Sequence, residues 1–102
     1  MEVATAMLCQ YSREVEEFCR IHSIREHLDI ATRLAKEVFN SETTLTKDCD
    51  RETGEEWVTI HVAVIGKTWE QVLHSYNNYV DKFVDLVASD RRHLICLSYD
   101  VS

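Results

Sequence analysis

Leu8, Tyr11, Val15, Phe18 and His22 recur at three- and four-residue steps, with Arg13, Glu14, Glu16, Glu17 and Arg20 filling the positions between. That spacing puts the apolar residues on one side of a helix and predicts one over about residues 6–22. Ile24, Leu28, Ala31, Leu34, Ala35, Val38 and Phe39 form a second stripe. At about 100° per residue, Val15 and Ile24 would lie on opposite sides of a continuous helix. Ser23-Ile24-Arg25-Glu26 also has capping-box spacing. The chain therefore reads as two helices, the second over about 24–39, rather than one rod.

The period then changes. Asn40-Ser41 favours local backbone bonding and ends the helical region. Thr43–Cys49 has strand composition with weak alternation, and Trp57–Ile65 alternates clearly. In the second run Val58, Ile60, Val62 and Val64 point one way, and Trp57, Thr59, His61 and Ala63 the other. Between the strands, Asp50 opens a turn and Gly54 supplies the left-handed residue that closes a hairpin. Gly66-Lys67 leads into Thr68-Trp69-Glu70-Gln71, a second capping-box pattern. It predicts a helix over about 68–88 carrying Trp69, Val72, Leu73, Tyr76, Val80, Phe83, Val84 and Val87. A last strand over about 94–101 has Ile95, Leu97, Tyr99 and Val101 on one face.

The order ααββαβ predicts a single α+β domain over residues 1–102. Its three strands would form a mixed sheet in the order 2-1-3, a split βαβ unit, with the helices packed mainly on one face. Such packing would leave Trp57, Thr59, His61, Leu94, Cys96 and Ser98 on the opposite face. A tryptophan and a leucine among small and polar residues are too apolar for pure solvation and too polar for a core. That face is the candidate interaction surface, open to a partner or to a second copy unless the first helix folds around to cover it.

Composition narrows the chemistry. The chain has two glycines and no proline, so glycine-rich phosphate-binding loops are excluded, and no cofactor is expected. Its net charge of −7, from 18 acidic and 11 basic residues, disfavours nucleic acid and anionic membrane as partners. The same charge suits a basic protein partner. Four cysteines at 9, 19, 49 and 96 show no CxxC pair, and no window is long and apolar enough to span a bilayer. The start Met1–Leu8 has neither the basic nor the apolar region of a signal peptide, and the expected location is cytoplasmic with reduced thiols.

Reactive constellations are sparse. Cys19 and His22 share a helix face, but a structural zinc site needs a second ligand pair, and none has the spacing. The same pair is the only local thiol–base combination. The acidic run Asp48, Asp50, Glu52, Glu55 and Glu56 sits around a hairpin tip, where carboxylates are ordinarily solvated. The seven-residue spacing of Trp69, Tyr76 and Phe83 is that of a core stripe.

The run Asp50-Arg51-Glu52-Thr53-Gly54-Glu55-Glu56-Trp57, followed by a Val/Ile strand and a Tyr/Phe-rich helix, resembles small uncharacterised bacterial proteins of this length. The resemblance covers about half the chain and rests on turn and core residues, so it implies a fold and no catalytic motif. The resulting expectation is a non-catalytic interaction domain, homodimeric, acting as an acidic regulatory, antitoxin-like or chaperone-like partner of a basic protein. The alternative is a small enzyme or a ligand- or metal-binding module using His22, His61 or a cysteine in a dimer cleft.

Overall fold

In the computed structural model, which describes residues 11–101, three helices cover one face of a three-stranded mixed sheet. The elements are α1 Arg13–His22, α2 Arg25–Phe39, β1 Thr43–Cys49, β2 Glu56–Val64, α3 Trp69–Leu86 and β3 Ile95–Val101, with a 3-10 turn at Arg92–Leu94 before β3. The α+β class and the mixed sheet agree with the sequence reading. The predicted stretch 6–10 of the first helix lies outside the described residues. Its described part begins later, at Arg13, because Ser12 stays extended and its hydroxyl accepts a hydrogen bond from the Val15 amide.

Two joints depart from the patterns. Ser23 does not cap α2. It adopts a left-handed conformation (φ 54°) that closes α1, and the Ile24 amide reaches back to the Cys19 carbonyl. A residue in that conformation cannot also serve as the extended N-cap of the next helix, so α2 starts after Ile24 without a side-chain cap. Asn40 closes α2 in the same left-handed way (φ 52°). The second capping box forms as expected: Thr68 Oγ1 accepts from the Gln71 amide, and Gln71 Oε1 accepts from the Thr68 amide. At the other end of α3, Arg92 donates to the Val84 and Val87 carbonyls and supplies the positive charge that the helix's own last turn lacks.

The strand order is β1-β2-β3, not 2-1-3. β1 pairs antiparallel with β2, and β3 pairs parallel with β2 across the α3 crossover. The physical reason lies in composition. Val58, Ile60, Val62 and Val64 are all fully buried, whereas the matching face of β3 ends in the exposed Val101, so the central position falls to β2. β1, with Thr44, Thr46 and Lys47 in its short run, is suited to an edge. Registers such as Leu45↔Ile60↔Leu97 align apolar residues across all three strands on the helix side.

That side meets Val15, Phe18 and Cys19 of α1, Leu28, Ala31, Leu34, Ala35 and Phe39 of α2, and Val72 and Tyr79 of α3 in one core. α1 contributes to this core and does not fold around to the other side. Phe39 stacks on Tyr99 and meets Tyr79, tying the last turn of α2 to β3 and α3. Arg25 sits over the Tyr11 ring and pairs with Glu16 and Asp29, while the Tyr11 hydroxyl donates to Asp29; these contacts hold α1 against α2.

Ile60→Ala should lower unfolding free energy by about 3 kcal/mol, because a fully buried central side chain leaves a cavity. Thr68→Ala should cost about 1 kcal/mol through loss of the cap. Urea denaturation of both variants measures the difference, and equal losses would contradict the placement of the core on β2.

Candidate functional site

β2 sends Trp57, Thr59, His61 and Ala63 to the face away from the helices, where β1 contributes Thr44, Thr46 and Asp48 and β3 contributes Cys96, Ser98 and Asp100. No described element covers this face. Register sets Asp48 opposite Trp57, and places Thr59 between Thr46 and Cys96 and His61 between Thr44 and Ser98. Diagonal neighbours on one face lie within reach of polar side chains. Here they form a connected network.

The Trp57 indole Nε1–H donates to Thr59 Oγ1 at 3.1 Å, and the Thr59 hydroxyl donates to Asp48 Oδ2 at 2.5 Å. Thr46 Oγ1 lies 3.2 Å from the same Asp48 oxygen and 2.8 Å from His61 Nε2. A hydroxyl carries one proton. When Thr46 gives its proton to the carboxylate, His61 must carry the proton on Nε2 and donate it to Thr46. Both arms then converge on Asp48, which accepts from two threonines held in turn by Trp57 and His61. Thr59 is only 7% exposed although no described element covers this face, and its hydroxyl is engaged by both Trp57 and Asp48.

Of the six residues proposed for this surface, the structure puts Trp57, Thr59, His61, Cys96 and Ser98 on the uncovered face. Leu94 is a correction. It lies in the 3-10 turn before β3 and joins the core at 8% exposure. The turn breaks the strand's alternation, so the outward position assigned by extending β3 one residue back does not exist. Asp48 and Thr46 were missed as members of the surface. Their spacing of two, on a strand beside a run carrying Trp, Thr and His, was the available signal.

A cleft of about 460 Å³ opens at the hairpin end of this face. It lies between the tip residues Gly54–Trp57, His22 at the end of α1, and His93, Leu94 and Cys96 around the start of β3. Gly54 (φ 79°) and Asp50 shape its rim: the Gly54 amide donates to the Asp50 carbonyl, and the Asp50 carboxylate accepts from the Glu52 amide. Glu56 pairs with Lys47 across the strands at 2.8 Å, whereas Glu55 is exposed and, among the described residues, accepts from the Thr53 hydroxyl as its one side-chain donor.

Cys19 and Cys96 are poorly set for nucleophilic work. Burial pushes the Cys19 thiol up to about 11, and burial together with the nearby Asp48 charge raises Cys96 as well. Both are protonated at neutral pH. His22, three residues from Cys19, rests on the Phe18 ring. Among the described residues no three His, Cys, Asp or Glu side chains converge as a metal-binding set, and no helix is long and apolar enough to cross a membrane. Comparison with family models, with curated proteins and with solved structures gives no match.

The Trp57 indole N–H is held by Thr59, while Trp69 is 58% exposed. The two indole protons should therefore exchange with solvent at clearly different rates in NMR spectra. Thr59→Val should bring the Trp57 signal close to the fast rate of Trp69. An unchanged Trp57 signal would show that the network does not fix the ring.

Proposed function

We propose that this chain is a protein-interaction domain whose uncovered sheet face receives a basic protein partner. The observation that carries this reading is a sheet face left bare by the described helices yet furnished with the hydrogen-bonded Trp57 and His61 beside Cys96 and Ser98. Tryptophan held rigidly at a surface is the residue type that anchors interfaces at low entropic cost. Asp48 and Asp100 on the face, with Asp50, Glu52 and Glu55 at the adjoining tip, add a negative field to a chain of net charge −7. A regulatory, antitoxin-like or chaperone-like partner of a basic protein fits this arrangement. Action in the cytoplasm, in a bacterial cell, belongs to the same reading.

The partner is to be identified by affinity purification and the complex rebuilt from two purified proteins. Thr44 and Ala63 are exposed on the face, so Thr44→Arg and Ala63→Arg should leave folding intact and weaken the rebuilt complex at least tenfold. Calorimetric affinity should also fall with added salt. A complex indifferent to both substitutions would sink the assignment of the face.

A second copy of the chain is favoured at a different place, the outer edge of β3. This strand is paired only with β2, and its sole charge is Asp100. Natural edges are usually blunted by charge or proline. The strand ends in Val101, 42% exposed, and Trp69, 58% exposed, stands beside it in ring contact with Tyr99. Edge-to-edge pairing about a two-fold axis would bury this patch in a homodimer. Light scattering at micromolar concentration should give a dimer mass for the wild type and a monomer mass for Trp69→Glu. A monomeric wild type would rule the dimer out.

A further inference from the structure

The cleft at the hairpin end of the sheet has a chemistry more specific than the face it adjoins. Its lining includes Trp57, Glu55 and Glu56 and no lysine or arginine. Glu56 already has Lys47 as its partner, so of the two carboxylates that line the cleft Glu55 is the one with no ion pair among the described residues. The aromatic wall is held in place: the Trp57 indole N–H is committed to Thr59, which is committed to Asp48. Trp57 is half-buried and lines the cleft, and with its N–H committed to Thr59 what it offers a ligand there is its carbon surface. A planar cation is the group that uses a ring face and a carboxylate together, since guanidinium stacks on aromatic rings and forks onto carboxylates. A compact ammonium uses the carboxylate but gains less from the ring.

We infer that this cleft is an arginine pocket: it takes one arginine side chain of the basic protein partner, stacked on Trp57 and paired with Glu55. The inference rests on the reading of the domain as a basic protein's partner and adds to it the residue type read at one end of the interface. The volume of about 460 Å³ accommodates a guanidinium and its alkyl stem. Leu94 and the two imidazoles His22 and His93 furnish the walls along which the methylenes would lie. Rigidity from the Trp57–Thr59–Asp48 chain lowers the ordering cost of capture.

The test uses the whole protein and three capped amino acids as probes: N-acetyl-arginine amide, its citrulline counterpart and its lysine counterpart. Amide NMR titration should show saturable shifts at Gly54, Glu55, Trp57 and Cys96 with the arginine probe. Citrulline, which keeps the shape and loses the charge, should bind at least tenfold more weakly, and lysine should fall between the two. Glu55→Gln, at an exposed tip position where glutamine keeps the oxygen that accepts from Thr53, should weaken the arginine probe about fivefold. Trp57→Ala should abolish saturation, and Trp57→Phe should restore part of it. Absence of saturable shifts, equal binding of citrulline, or lysine binding as tight as arginine would each overturn the pocket. A rebuilt complex that weakens with Ala63→Arg but ignores Trp57→Phe and Glu55→Gln would overturn the pocket while leaving the interaction reading standing. Probe binding that fails to translate into any protein complex would overturn that reading instead.

Discussion

Hydrogen bonding of β2 on both of its edges is the constraint from which the remaining architecture follows. A strand paired on both sides holds its side chains strictly alternate, so Val58, Ile60, Val62 and Val64 are delivered to one layer and Trp57, Thr59, His61 and Ala63 to the other. The first set is apolar enough to require cover, and the three helices supply it. The second set makes no such demand. The division between a hidden layer and a surface layer is thus made within nine consecutive residues.

The surface layer solves a problem that exposed sheets face. A half-buried tryptophan beside a carboxylate would ordinarily leave polar atoms competing poorly with water. Here the indole N–H, two threonine hydroxyls and an imidazole all find partners, and the aspartate collects two of them. These polar groups of the face are therefore partnered although none of the described elements covers it.

How far this was legible in the sequence differs by element. α3 was readable because Thr68 and Gln71 announce its start locally, and the β2 alternation was readable because it is a property of one strand. Ser23 misled because its spacing to Glu26 imitates a capping box, while the shortness of the joint required it to close α1 instead. Strand order was inaccessible to local pattern: it depends on which strand buries most apolar surface once all three are present. Five of the six proposed surface residues followed from β2 and β3 alternation. Leu94 failed because a 3-10 turn intervenes, and Asp48 and Thr46 were missed because diagonal partnerships exist only once register is set.

The left-handed closures at Ser23 and Asn40 leave α2 with almost no free chain on either side, since α1 ends at His22 and β1 begins at Thr43. One residue inserted within α2 would rotate everything after it by about 100°, turning Ala35 and Phe39 away from the sheet. No slack exists nearby to absorb the change. Variation in length among descendants of this chain is thereby channelled to the hairpin tip at 50–55 and the connection at 87–91, the first of which borders the cleft. The part of the molecule most tolerant of new length is the part that shapes what it can hold.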